Sequence, residues 1–209
     1  TIMAEKTGKY EGFGQILGMG SKRMCEKYGH PELSMSVKGQ EFAGYDSRAL
    51  QGMGLGYATG NRGACHLKHD TFAEDFDDQT GMGKAEPCKT SQDRQAAVDS
   101  TGVCMFVDWE TDDFAAQIDA ACEGSWDAAR LFETGERIWN LERMFNLSAG
   151  FTAADDTLPD RLLKDPCPSG TAKGKVNELA KMLPEYYSLR GWTEDGRPTS
   201  ETLERLGLD

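Results

Sequence analysis

The chain has 209 residues, a net charge of −12, 38% hydrophobic and 28% charged residues, enough apolar material for a core in one large or two small domains. An acidic balance of this size argues against sequence-independent binding to nucleic acid, which needs basic patches. No apolar run approaches a membrane span, and the first residues lack the order of a signal peptide, so a cytoplasmic location is expected.

Taken in order, Thr1-Ile2-Met3 opens inside an ongoing pattern, which reads as part of a longer chain. Tyr10, Phe13, Leu17, Met24 and Tyr28 recur at helical spacing, weakened by Gly12, Gly14, Gly18 and Gly20, and Gly29 supplies a C-terminal stop. Ser34 to Glu41 alternates as a short strand. Asp46 is expected to cap a helix running through Arg48 to Tyr57.

That helix delivers the stretch Gln51 to His69, whose glycines at 52, 54, 56, 60 and 63 lead into Arg62, Cys65, His66, Lys68 and His69. Bare backbone beside reactive side chains marks either a site or close packing of helices. Neither nucleotide fingerprint fits, since no Gly-x-x-x-x-Gly-Lys-Ser/Thr is present and no β-branched run precedes.

Residues 70 to 90 are acidic around Glu74-Asp75-Phe76-Asp77-Asp78, lack the ligand spacing of a calcium loop, and read as a solvated loop. A helical pattern resumes from Ser91 to Val98 and ends at Asp99-Ser-Thr-Gly-Val-Cys104. Ser125 is expected to cap a helix carrying Phe132, Ile138, Trp139, Met144 and Phe145. Val176, Leu179, Leu183, Tyr186 and Tyr187 mark another, interrupted at Pro184. Thr193 to Pro198 is a turn before a short final helix near Leu206. The six cysteines (25, 65, 88, 104, 122 and 167) contain no Cys-x-x-Cys, and most are expected to be reduced and buried.

In Asp99-x-x-Gly-Val-Cys104, Gly102 lets the backbone turn so that Asp99 and Cys104 can face one side. Read alone, such a carboxylate is more often a cap and such a cysteine more often core. Together with Asn61-Arg-Gly-Ala-Cys-His-Leu-Lys68, however, the stretch resembles the aldehyde ferredoxin oxidoreductase family of tungsten and molybdenum enzymes. The likeness continues through Val37-Lys-Gly-Gln-Glu41, Tyr45-Asp-Ser-Arg48, Gly54-Leu-Gly-Tyr-Ala-Thr59, Gly135-Glu-Arg-Ile-Trp-Asn140 and Tyr186-Tyr-Ser-Leu-Arg-Gly-Trp192.

The resemblance implies a mainly α fold with short β segments, residues 1–36 ending the middle helical domain and 37–209 forming the C-terminal helical domain. It implies a tungstopterin or molybdopterin (bis-pterin) centre, a [4Fe-4S] cluster and a Mg2+ ion bridging the pterin phosphates. Asp99 and Val103 would contact the pterin, with Val103 standing where the family usually has Leu, and Cys104 would be the fourth cluster thiolate. Arg62 and Lys68 would contact the anionic cofactor. His66 would hydrogen-bond the substrate carbonyl or shuttle a proton; His30 and His69 have no matching role and read as structural or exposed, and Cys65 as core.

The activity implied is oxidation of a small aldehyde to a carboxylic acid, with two electrons passing to ferredoxin or an equivalent carrier. The remaining cluster cysteines and the pterin-cradling sheet domain have no counterpart here, so the partner expected first is the N-terminal part of the same polypeptide, without which the chain is expected to be inactive. A homodimer or larger complex is the assembly the resemblance allows. Two alternatives stand beside this reading: a reductase of aromatic acyl-CoA thioesters within the family, and a cofactor-free helical interaction module.

Overall fold

A computed structural model describes residues 2–107 and 110–209; of the opening Thr1-Ile2-Met3, Thr1 lies outside them. The chain begins with three short helices, α1 (Ile2–Gly8), α2 (Phe13–Leu17) and α3 (Gly20–Lys27). The expected stripe from residue 10 to 28 is broken because Gly12 and Gly20 adopt positive φ (53° and 81°), which a continuous right-handed helix excludes. These helices bury little, Gly14 alone falling in the buried class.

The expected single strand from Ser34 to Glu41 is instead a tight hairpin. Strand β1 (Ser36–Val37) pairs antiparallel with β2 (Gln40–Glu41), Val37 opposite Gln40. Lys38 and Gly39 both take positive φ (49° and 84°), the geometry a two-residue hairpin turn demands.

Helix α4 (Gln51–Thr59) is the centre of the molecule, since every one of its residues is buried. It starts later than the sequence indicates and is not capped by Asp46, whose side chain takes the Arg48 N–H and guanidinium. Its first amides are satisfied by Asp75, which accepts from Gly52 N at 2.8 Å and Met53 N at 3.0 Å. A carboxylate at a helix N-terminus meets both orphan donors and the positive end of the helix dipole.

Asp75 thereby corrects the reading of residues 70 to 90 as a solvated loop. It belongs to α5 (Phe72–Asp77), is fully buried, and lies 3.6 Å from the buried Lys84. Helix α6 (Ala85–Thr101) follows after the non-helical residues 78–84. Burial pushes the Asp75 carboxyl upward, opposed by the amides and Lys84. Charge density in the sequence misleads here because the carboxylate is consumed internally.

Helix α6 lies along α8 (Ala128–Ser148) in the most extensive helix pair of the fold. Gly135 makes this approach possible, since a Cβ there would overlap the backbone of Asp93. Between them α7 (Thr111–Ala121) adds Phe114 and Ala115 to a small cluster with Val98 and Leu131. The cap of α8 is Asp127, which accepts from Arg130 N, rather than Ser125.

After α9 (Asp160–Lys164), helix α10 (Leu179–Arg190) runs straight through Pro184. One lost backbone hydrogen bond is outweighed there by the burial of Met182, Tyr186 and Tyr187. Gly191 ends it in the left-handed conformation, and α11 (Ser200–Leu206) closes the chain.

Two buried ionic networks lock these layers. Asp156 accepts from Lys38 Nζ (2.8 Å), both terminal nitrogens of Arg143 (3.0 and 2.7 Å) and the Tyr187 hydroxyl (2.6 Å). Arg190 pairs with Asp93 and donates to Gln92 and Tyr186, whose hydroxyl also receives the indole N–H of Trp139. All six cysteines are free, but only Cys65 and Cys88 are buried, so the expectation that most would be core thiols is corrected.

Candidate functional site

The glycines at 52, 54 and 56 serve packing. A Cβ at Gly54 would overlap the Asn177 amide and one at Gly56 the ring of His69. The bare face of α4 thus lets neighbouring side chains reach its backbone, and His69 is fully covered, its Nε2 3.2 Å from Met53 O. Burial holds the His69 imidazole down at a pKa of about 4. It is structural, and His30 is exposed beside Glu32.

The segment leaving α4 is held from three sides. Gly63, at φ 92°, presses so closely on Val37 that a Cβ would overlap its carbonyl. Asn146 donates to Asn61 O at 2.6 Å, and Asn61 donates to Trp139 O at 3.0 Å, tying the turn to α8. Lys38 Nζ donates to Ala58 O at 2.6 Å. The residues that follow are therefore presented on a fixed base.

Three of them, Arg62, His66 and Lys68, are candidate site residues. Arg62 is exposed and its Nη2 lies 2.7 Å from Cys65 Sγ, so Cys65 is core but also an anchor for Arg62. His66 is half-buried, with the ring of Tyr45 meeting it edge-on at 5.7 Å. Lys68 Nζ lies 2.6 Å from Asp99 Oδ2, in the last turn of α6. The segment bearing the histidine and the segment bearing Asp99 are thereby joined.

Asp99 accepts a second hydrogen bond, from Gln95 Nε2 at 2.7 Å on Oδ1. The helix then ends at Gly102 in the left-handed conformation (φ 77°), and the chain emerges at Val103 and Cys104, both exposed. Cys104 is not an apolar core residue. Among the described residues no hydrogen bond joins His66 or Cys104 to the Lys68–Asp99 pair, and no group of three or more His, Cys, Asp or Glu side chains is arranged to hold a metal ion.

Beside this junction is a cavity of about 320 Å³ with Arg62 and Lys68 on one wall and Leu141, Glu142 and Phe145 of α8 on the other. Two cations on one groove of an acidic chain favour an anionic ligand, while Asp99 offers acceptors to an N–H edge. Two contributors were missed by sequence reasoning. Gln95 is legible in retrospect as the i−4 neighbour of Asp99 on one helix face. Tyr45 is distant in sequence from His66, and nothing in the local pattern links them.

Residues 2–208 match the family model described as aldehyde ferredoxin oxidoreductase, domains 2 & 3. The chain belongs to the aldehyde ferredoxin oxidoreductase family. It is 46% identical to the tungsten-containing aldehyde ferredoxin oxidoreductase of Pyrococcus furiosus and 43% identical to that of Thermococcus kodakarensis, in each case over 98% of this chain. It spans 36% of the length of these relatives and corresponds to their C-terminal part.

The fold of this chain is also that of a chain in the active site complex BamBC of benzoyl coenzyme A reductase, solved with 1,5-dienoyl-CoA, at a TM-score of 0.77 and 19% identity. The match covers 99% of this chain and 38% of the other. At that identity the likeness is one of fold. The mainly helical class with a small two-stranded sheet agrees with the family, and no helix among the described residues is long and apolar enough to cross a membrane.

Proposed function

We propose that the chain is the C-terminal portion of a cytoplasmic tungsten or molybdenum bis-pterin oxidoreductase that oxidises aldehydes to carboxylic acids and passes two electrons to ferredoxin. The observation that carries this is the 2.6 Å Lys68–Asp99 pair, which brings the His66 segment to the turn ending in Cys104. The donor set fits the cofactors: Arg62 and Lys68 supply charge-assisted donors to an anionic pterin, Asp99 accepts from its N–H edge, and Val103 contributes backbone. Cys104, exposed and past the end of α6, is the thiolate assigned to a [4Fe-4S] cluster. A Mg2+ ion would supply positive charge to the pterin phosphates; among the described residues no group of three or more His, Cys, Asp or Glu side chains is arranged to hold it.

When bound, the metal centre supplies the two-electron chemistry that joins water and aldehyde into a carboxylic acid. The chain's own share is orientation. His66 donates from a ring nitrogen to the substrate carbonyl and holds or returns the proton there, while the Tyr45 ring, in T-shaped contact at 5.7 Å, restricts the imidazole plane. Gln95 and Lys68 hold the Asp99 carboxylate by its two oxygens.

Residues 1–36 are assigned to the end of one helical domain and 37–209 to the next. The scant burial in α1–α3 supports this. The aldehyde reading is preferred over thioester reduction because the relatives at 43% and 46% identity carry aldehyde oxidoreductase names.

The test is anaerobic purification of the intact polypeptide, as monomer, homodimer or larger complex, followed by tungsten, molybdenum and iron analysis and an assay of aldehyde-dependent ferredoxin reduction. Metal, iron and activity together are expected. A metal-free, iron-free protein would return the chain to the interaction-module reading.

A further inference from the structure

We infer that the β1–β2 hairpin is a clasp between α3 and the turn that leads into Arg62 and Lys68, and that Glu41 is the positioning residue through which the seating of α3 is felt at that turn. Every contact involved is made within this chain, and the clasp holds whichever reaction the intact polypeptide carries out.

The outer rung of the hairpin, Ser36 opposite Glu41, holds α3. Met19, at the N-cap position of that helix, makes no side-chain capping bond. Instead Glu41 Oε1 accepts from Ser21 N at 2.7 Å across 20 positions of sequence. A carboxylate there meets an orphan amide and the positive end of the helix dipole, as a local cap would. A run of hydroxyls repeats the attachment: Ser21 Oγ lies 3.1 Å from Ser34 Oγ, which lies 2.9 Å from Ser36 Oγ.

The inner rung, Val37 opposite Gln40, holds the turn. A Cβ at Gly63 would overlap Val37 O and crowd the Gln40 side chain, so no slack remains between hairpin and turn. Lys38, its side chain buried, donates to Asp156 at 2.8 Å and to Ala58 O at 2.6 Å, at the end of α4 from which the turn departs. The two rungs are adjacent, and Lys38 and Gly39 fix the hairpin at positive φ (49° and 84°). A shift of the outer rung is therefore passed to the inner one, because close-packed groups transmit strain rather than absorb it.

Hydrogen exchange, read peptide by peptide on the intact polypeptide as purified, tests the clasp in the wild type, Glu41→Ala and Glu41→Gln. Glu41→Ala is expected to speed exchange about three- to tenfold in α3 and at least about twofold in residues 60–65, with α10 left at the wild-type rate. Glu41→Gln, whose amide oxygen still accepts from Ser21 N, should return both segments toward the wild type. Any other pattern overturns the clasp. Acceleration in α3 alone would make Glu41 a local cap, equal acceleration in α10 would mean a general loss of stability, and a turn that Glu41→Gln does not restore would mean that charge, not the capping bond, is what it senses.

Discussion

Lys68 Nζ and Asp99 Oδ2 meet at 2.6 Å across thirty-one positions of sequence, and this contact fixes how the histidine-bearing segment lies against the end of α6. Both side chains keep some exposure, 17% and 37%, so solvent screens the pair and its share of stability is about 1 kcal/mol or less. A cofactor-binding role and a structural role therefore separate cleanly.

Asp99→Asn and Lys68→Met are expected to shift the melting temperature of the protein by only a few degrees, about what 1 kcal/mol produces in a chain of this size. Retention of tungsten or molybdenum through purification should fall about tenfold or more, the loss of one charge-assisted hydrogen bond. Metal content equal to that of the wild type would remove the pair from the cofactor site.

His69 gives a pH dependence of defined sign. Burial lowers its folded pKa to about 4, while the unfolded value is about 6.5. As pH falls between those values the unfolded chain binds a proton that the folded chain excludes, so stability declines through this window by about 3 kcal/mol and levels off below it. Urea unfolding across the window is expected to show a shallower decline in His69→Gln than in the wild type. Parallel declines would mean that carboxylates alone set the acid limit.

The helical glycines are expected to respond oppositely to the same change. Gly8→Ala, at the end of α1 with nothing within 4 Å of the added methyl, should be neutral or stabilising by up to about 1 kcal/mol. Gly56→Ala drives a methyl into the His69 ring and should cost about 3 kcal/mol or more. Chemical denaturation of the two variants checks both.

At Asp156, replacement by Asn leaves the buried Lys38 and Arg143 cations facing a neutral amide. The expected loss is about 3 to 5 kcal/mol, readable as a lower denaturant midpoint. Burial already lowers the Lys38 pKa against the pull of Asp156, so removing the carboxylate should lower it further. Replacing Lys38 as well, by Met, is expected to recover part of the loss, because one of the two uncompensated charges is then gone.

Most helices were legible because apolar periodicity is a local property. Trp139 in α8 and Tyr186 and Tyr187 in α10 are buried as their spacing indicates, and Gly191 and Gly29 stop their helices as glycine does. The errors share a cause: where a polar side chain finds its partner far away, local pattern misassigns it. Asp75 reads as solvated because Gly52 and Met53 are more than twenty positions back, and Asp46 reads as the cap of α4 because Asp75 is invisible from its neighbourhood. Pro184 reads as a break because the burial that holds α10 together is supplied by other helices.

By itself the sequence determined the helical class, the family likeness and the residue types that chemistry would use, since composition, periodicity and ordered motifs are carried along one strand of residues. Only the tertiary structure decided that the glycines of α4 are for packing, that Lys68 clasps Asp99, and that Tyr45 stands beside His66. Those facts depend on which distant side chains share a volume, and the close approach of buried groups is set by the whole core at once.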